Sequence, residues 1–347
     1  MDVKRQIAEL AESLNIPLVG FASPDLPPEQ YENYLNWLKD GNHSDMNYLA
    51  RDPQRRKSVL EIMPEAKTVI VLGLPYYSKP QSPKPERFAG RVSQYATGRD
   101  YHRLMEKKTK RICREIEALS KSRCKAYVDY GPVMERAYAV SAGLGFIGKN
   151  SCLINPKWGS YFFLAIIITD LEIEQDKPMQ RDCGKCRACL DACPTGALER
   201  PFILNSRKCL SYHSIENKGS IPEHVYKNWK GNWIFGCDTC QEACPYNKKA
   251  PETPEPDLRE TKIESWVDIP SLFDIQAEEF KERFQGSPIN RAGRTALLRN
   301  CAICLANSGE EGVKTFIASA IEKESDEELL RHLYWLQNKL KARNSTN

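Results

Sequence analysis

An α/β domain, a compact cysteine-rich segment and a set of short C-terminal helices are what this 347-residue sequence predicts. Three observations carry that reading. Before about residue 174, short β-branched runs alternate with amphipathic helical stretches. Eight cysteines then crowd between Cys183 and Cys244. Beyond residue 260 the apolar pattern is helical. The length exceeds what one hydrophobic core usually serves, so two or three domains are expected.

The elements follow in chain order. Met1 to about Leu14 reads as an amphipathic helix, with Ile7, Leu10 and Leu14 at helical spacing. "KTVIVLGLPYY", Lys67–Tyr77, is a buried strand ended by proline. "YHRLMEKKTKRICREIEALSKS", from Tyr101, is a long helix with Leu104, Ile112, Ile116 and Leu119 along one side. "CKAYVDYGP" is a further strand that runs into a turn at Gly131–Pro132. "YFFLAIIITDLEI" is almost continuously apolar, as in a sheet covered on both faces. "PETPEPDLRE" is proline-rich and acidic, the pattern of a linker. Three helical segments follow: "GRTALLRNCAICLANSG", "EEGVKTFIASAIEK" and "DEELLRHLYWLQNKLKAR". Their succession resembles a HEAT-type repeat unit.

Bulk properties narrow the setting. Fifty basic and 46 acidic side chains leave a formal charge of +4, too small to argue for nucleic acid unless the charge is local. The first residues carry scattered charges and no signal-peptide core. The longest apolar run, Tyr161–Ile168, is far too short to span a bilayer. A cytoplasmic protein is expected, and there close-set thiols hold metal more often than they form disulfides.

Cys183, Cys186, Cys189 and Cys193 follow the spacing C-x2-C-x2-C-x3-C, and Pro194 completes the bacterial ferredoxin run. Three thiolates on a tight loop grip one cubane, and the fourth cysteine points toward a second. Cys237, Cys240 and Cys244, before Pro245, repeat positions two to four of that template. Position one falls on Ile234, which cannot ligate, so Cys209 is the substitute. The expectation is two 4Fe–4S clusters in a ferredoxin-like segment. Cys183, Cys186, Cys189 and Cys244 would hold one, and Cys193, Cys209, Cys237 and Cys240 the other. Zinc uses paired C-x2-C motifs, but a third cysteine two residues on and the C-P endings fit it poorly. Cys113, Cys124, Cys152, Cys301 and Cys304 stand apart and read as small buried hydrophobes.

Three further stretches invite chemistry. Gly143, Gly145 and Gly148 form G-x-G-x-x-G, but they follow a helical stretch and precede a strand-like one. That is the reverse of a dinucleotide site, so a helix cap with loop glycines is expected. Asp100-Tyr101-His102 begins the cobalt-binding pattern D-x-H-x-x-G, which fails at Met105; His102 reads as a helix-start residue near the surface. Arg51, Arg55, Arg56 and Lys57 form either a solvated basic loop or a site for an anionic or amide-rich ligand.

Taken in order, "YLARDPQRR", "QYATGRDYHRLM", "VDYGPVMERAYAVSAGLGFIGKNS", "CGKCRACLDACPTGAL", "GCDTCQEACPYN" and "INRAGRTALLRNCAICLAN" resemble the epoxyqueuosine reductases, from about Tyr48 to Asn307. The resemblance implies an α/β cobalamin-binding domain at 1–174, with the cofactor bound base-off and no lower histidine. It implies a ferredoxin-like two-cluster domain at 175–254 and a helical, HEAT-like, tRNA-binding domain at 255–347. It implies an oxidoreductase that reduces the epoxide of epoxyqueuosine at the wobble position of a tRNA anticodon stem-loop to queuosine. By the same resemblance Asp129 is the proton donor, and Arg56, Ser93, Asn150, Leu153, Ser211 and Asp238 line the corrin beside it. A free aspartate titrates near about 3.9, so Asp129 would need burial to keep a proton near neutrality. Without the resemblance it reads as a turn residue before Gly131–Pro132.

Arg291, Arg294 and Arg299 are candidate RNA contacts, with Lys339, Lys341 and Arg343 at the chain end. Tyr226, Trp229 and Trp233 could stack on bases, or be buried aromatics. One chain carrying both clusters demands no partner subunit, so a monomer fed by an external electron donor is expected.

Overall fold

The structure, a computed structural model, describes residues 2–80 and 83–344. Its first layer is a four-stranded sheet ordered Leu18–Ala22, Thr68–Pro75, Phe162–Thr169, Cys124–Tyr127. Every pairing in it is antiparallel. The strands alternate with helices in sequence, as expected, but the result is a mixed α/β domain built on an antiparallel sheet.

The apolar runs find their explanation in the two faces of this sheet. Thr68–Pro75 pairs with Phe162–Thr169 over eight residues, from Thr68 opposite Thr169 to Pro75 opposite Phe162. Side chains alternate between faces. Ile70, Leu72, Leu74, Ala165 and Ile167 join Ile7, Ala11, Met105, Ile112 and Ile116 under the helices Val3–Ser13 and Tyr101–Ser120. Val69, Val71, Ile166 and Ile168 face the other way, against Tyr138, Ala139 and Ala142 of the helix Glu135–Ser141 and its end. Gly20 permits that second layer, because a Cβ there would lie 2.3 Å from the Ala142 carbonyl oxygen. On the long helix Leu119 departs from the expected stripe: it is exposed, one residue before the helix ends and two before Lys121, which takes a left-handed conformation.

The strand Ala89–Val92 leaves this sheet and forms the centre of another. It pairs parallel with Trp233–Phe235 and antiparallel with Trp266–Asp268. The helix Gly293–Ser308 packs behind, with every residue from Ala296 to Ala306 buried. The helices Val313–Lys323 and Glu327–Asn344 cover it. One apolar cluster runs from Leu210, Tyr226, Trp229 and Trp233 through Leu297 and Leu298 to Leu329 and Leu333. Packing therefore crosses the expected boundary at residue 254.

The proline-rich stretch 251–260 is no loose linker. Thr253 donates its N–H to the Tyr77 carbonyl at 2.7 Å and its hydroxyl to the Pro75 carbonyl at 2.5 Å. Glu255 is buried and pairs with Lys108 at 2.5 Å, and Leu258 enters the core of the first sheet. Among the described residues no helix is long and apolar enough to cross a membrane.

Candidate active site and cluster cages

The cysteine loops are placed by short helices. Cys183 and Cys186 lie on the loop before the helix Ala188–Ala192, Cys189 lies on that helix, and Cys193 caps it. A second short helix, Thr239–Glu242, packs on the first and carries Cys240. Cys183, Cys186, Cys189 and Cys244 line a single cavity with Lys149, Asn150, Ile154, Pro245 and Tyr246. Lys149 braces the loop: its ammonium donates to the carbonyls of Gly184 at 2.6 Å and Cys186 at 2.8 Å. Its backbone N–H points at the Cys183 sulfur, 3.4 Å away.

The other four thiols are linked in pairs through their electrostatics, Cys193 with Cys209, and Cys209 with Cys237 and Cys240. Burial first, and then Cys193, push the Cys209 thiol up. Burial raises Cys240 well above the usual thiol range, with Cys152, Cys237 and Cys209 adding to the effect. Burial likewise pushes Cys237 up to about 12. Such buried thiols are poor as free groups and gain from metal, which holds them as thiolates. Ile234, at the template's vacant ligand position, is fully buried inside the strand Trp233–Phe235. Among the described residues no three His, Cys, Asp or Glu side chains are set to hold a single ion.

Asp129 sits two residues beyond the strand Cys124–Tyr127 with φ 55°, a left-handed conformation that is uncommon for a side chain larger than hydrogen. Gly131 follows at φ 104°, where a Cβ would strike the Tyr127 ring at 2.5 Å. Arg56 donates to the Gly131 carbonyl at 3.1 Å and ties the basic loop to the turn. The carboxylate accepts from the Tyr101 hydroxyl at 2.5 Å, and His102 Nε2 lies 3.5 Å from the same oxygen. The other imidazole nitrogen, Nδ1, meets Asp100 at 2.8 Å. The Tyr101 ring lies flat between Phe163, at 3.9 Å, and His102, at 4.1 Å.

The electrostatics set the resting protonation of this group. Burial pushes the Asp129 carboxyl up, but hydrogen bonds from His102 and Tyr101, then the charges of His102 and Arg291, outweigh it. The net shift is downward, so Asp129 rests ionised. Its neighbour His102 is raised to about 9, chiefly by Asp100 and next by Asp129, so the proton at neutral pH lies on the imidazole.

Ser93 and Asp238 come together just beyond the ends of the paired strands Ala89–Val92 and Trp233–Phe235. The Ser93 hydroxyl donates to Asp238 at 2.6 Å, and the Gln94 N–H donates to the other carboxylate oxygen at 2.7 Å. Gly236, at φ 68°, allows the approach, since a Cβ there would lie 2.4 Å from the Ser93 Cβ. Gln241 links Asp238 to Ser160, and Ser160 to Asn247, which fixes the second cluster helix against the first domain. Asn150 is buried in the wall of the first thiol cavity: its Oδ1 accepts from the Cys152 N–H at 3.2 Å, and its Nδ2 has no hydrogen-bond partner. Leu153 is buried in the core under Tyr138, and Ser211 is half-buried on the helix Leu210–Ile215. The glycine-rich stretch ends the helix Glu135–Ser141, as expected, and then forms a small hairpin, Phe146–Ile147 with Leu153–Ile154.

The arginine group separates. Arg299 is buried and donates to the carbonyls of Gly219, His213 and Asn217, so it is a core strut and no RNA contact. Arg294 is nearly buried and pairs with Glu324 at 2.8 Å, which also removes it from the surface. Arg291 alone of the three is half-exposed, held by Glu216 at 2.5 Å and near the Tyr48 ring. Tyr226, Trp229 and Trp233 are buried in the core and offer no stacking face. Lys339 pairs with Glu223, and the Arg343 side chain lies outside the described residues. The Asp100–His102–Asp129–Tyr101 group and the Gln241–Ser160–Asn247 chain escape the sequence reading. His102 was expected only as a helix-start residue, and its partner Asp129 lies 28 residues from Tyr101.

Eight thiols in two groups make this a candidate two-cluster iron–sulfur protein, and comparison with known proteins agrees. Residues 182–247 match the family described as 4Fe-4S double cluster binding domain, so the chain is of the two-cluster iron–sulfur class. Residues 56–130 match the family described as Epoxyqueuosine reductase QueG, DUF1730. An epoxyqueuosine reductase of Gloeobacter violaceus is 39% identical over 88% of this chain and 96% of its own. An epoxyqueuosine reductase solved with an epoxyqueuosine-modified tRNA-Tyr stem loop superposes with a TM-score of 0.84 at 28% identity, covering 98% and 99% of the two chains. A Bacillus subtilis epoxyqueuosine reductase, solved with an aspartate catalytic loop swung out of the active site, gives 0.82 at 26% identity over 97% and 98%. The chain belongs to the epoxyqueuosine reductase family, and is an oxidoreductase.

Proposed function

We propose that this chain converts epoxyqueuosine in a tRNA anticodon stem-loop to queuosine, at a base-off cobalamin, with Asp129 giving the proton to the departing oxygen. The observation that carries the reading is the Asp129 turn. An aspartate in a left-handed turn, gripped by Tyr101 and His102 and open to solvent, is built for more than capping. The relative with an aspartate catalytic loop supports that role, and the relative bound to a tRNA stem loop supports the substrate.

The two thiol groups are proposed to hold the clusters as the spacing divides them, with Cys183, Cys186, Cys189 and Cys244 together in one cavity. The residues fit a corrinoid in one telling respect: the buried Asn150 amide nitrogen lacks a partner, a costly state that an amide-rich ligand would relieve. Arg56, Ser93, Leu153, Ser211 and Asp238 are proposed to line the corrinoid with it. Bound there, clusters and corrinoid would supply the two electrons that removal of an epoxide oxygen consumes. The protein's own work is to orient the ribonucleotide, exclude water and deliver a proton through the Asp129 carboxyl. The 1–174, 175–254 and 255–347 segments then serve corrinoid, cluster and tRNA binding, in a cytoplasmic monomer.

Asp129→Asn keeps the shape and removes the transferable proton. It should retain both clusters, corrinoid through gel filtration, and tRNA binding. Single-turnover deoxygenation, normalised to bound corrinoid, should fall about a hundredfold or more. A near-wild-type rate ends the proton-donor assignment.

A further inference from the structure

Removing an epoxide oxygen as water takes two electrons and two protons, and one carboxyl carries one proton. Asp129 also rests ionised in this structure. Its proton must therefore be loaded before the first delivery and replaced before the second. We propose that His102 is the residue that positions and reloads Asp129: with Nδ1 held by Asp100, it passes the proton from Nε2 to the Asp129 carboxylate. The proposal rests on the reading of Asp129 as proton donor.

The geometry assigns the direction. Asp100 caps the helix Tyr101–Ser120, its Oδ1 accepting from the His102 backbone N–H at 3.0 Å and meeting Nδ1 at 2.8 Å. The ring face rests on Tyr101, itself stacked on Phe163. One nitrogen and one face are thus fixed, and Nε2 is left aimed at Asp129 Oδ2, 3.5 Å away. Catalytic hydrogen bonds are often this long before substrate is in place. The His102 side chain is 36% exposed, so solvent can return its proton. Tyr101 is not the source, because burial and then Asp129 push its hydroxyl far up. The charged and titratable groups around the pair are Asp100 and Arg103 on the helix, Arg291 from the C-terminal segment, and Glu135 beyond the turn.

The transfer balances simply. Imidazolium and carboxylate become imidazole and carboxylic acid, an uphill exchange drawn forward because the departing oxygen takes the proton from Asp129, and no electrons move. Asp129 then protonates the oxygen as the C–O bond breaks, water reprotonates His102, and the pair is set for the second proton.

The test uses the five histidines of the chain, few enough to assign by NMR with labelled histidine. His102 should titrate near about 9 in the folded protein. Asp129→Asn and Asp100→Asn should each bring it down toward its usual value. In wild-type holoenzyme the single-turnover rate should hold at neutral pH and fall as pH rises through the His102 titration. His102→Gln should lose that limb: its rate should be on the order of tenfold lower at pH 8 and should climb only toward acid pH, following the Asp129 carboxyl. His102 titrating near about 6.5 in wild type, or unmoved by Asp129→Asn, overturns the relay. So does His102→Gln with a wild-type rate and limb while Asp129→Asn is slow. Wild-type turnover by Asp129→Asn is the separate outcome in which the donor reading fails and the relay falls with it.

Discussion

Arg299 and Arg291 lie eight positions apart in a basic stretch and serve opposite ends of the molecule's needs. The guanidinium of Arg299 is inside, satisfying three backbone carbonyls of the 213–219 turn, while Arg291 reaches the edge of the Asp129 site. Arg299→Ala would leave those carbonyls without donors in a dry core, at a cost of about 3 kcal/mol. A clear drop in the denaturation midpoint is expected, with tRNA affinity per folded molecule unchanged. Weakened tRNA binding at unaltered stability would return Arg299 to the RNA surface. Sequence could not separate the two arginines, because burial of a long cation depends on carbonyls some eighty residues away. The cysteine groups were legible because they sit in local patterns of fixed spacing, whereas Asp129 stood out only through the resemblance and otherwise reads as a turn residue. The partners of Asp129 were not, since the turn meets the helix start only after the sheet has formed.

At the scale of elements, strands and helices were readable from period and composition, but strand direction was not. The antiparallel order follows from which edges the connections reach, and the apolar runs look alike in either direction. The 251–260 stretch misleads for a related reason: its prolines signal a break, while Thr253 and Glu255 find partners in Tyr77, Pro75 and Lys108. Cys209 is the reverse case. Counting thiols against a template assigned it to the second cluster, and the fold sets it at the start of the helix Leu210–Ile215, within electrostatic reach of Cys193 and Cys237. Cys209→Ala should lose one cluster and keep the other, leaving about four irons per chain where wild type holds about eight. Iron analysis and the visible spectrum of anaerobically reconstituted protein decide it. Full iron with an unchanged spectrum would remove Cys209 from the ligand set.

For the whole molecule, no expected domain stands alone. The strand Ala89–Val92 from the first segment is the centre of a sheet whose neighbours come from the other two. The Ser93–Asp238 pair lies at its end, and Tyr95, two residues on, packs against both the core behind that sheet and the core of the first sheet. That arrangement would suit the proposed substrate, too large to enclose, whose reactive nucleotide would have to meet cofactors held by different parts of the chain. The direct measurement is mass analysis of nucleosides from epoxyqueuosine-bearing tRNA after anaerobic incubation with reconstituted protein, cobalamin and a strong reductant. The account requires loss of one oxygen atom from the modified base, stoichiometric with holoenzyme in a single turnover, and no change when either cobalamin or the clusters are omitted. An unaltered nucleoside with the fully loaded protein, or equal conversion without cobalamin, would contradict it.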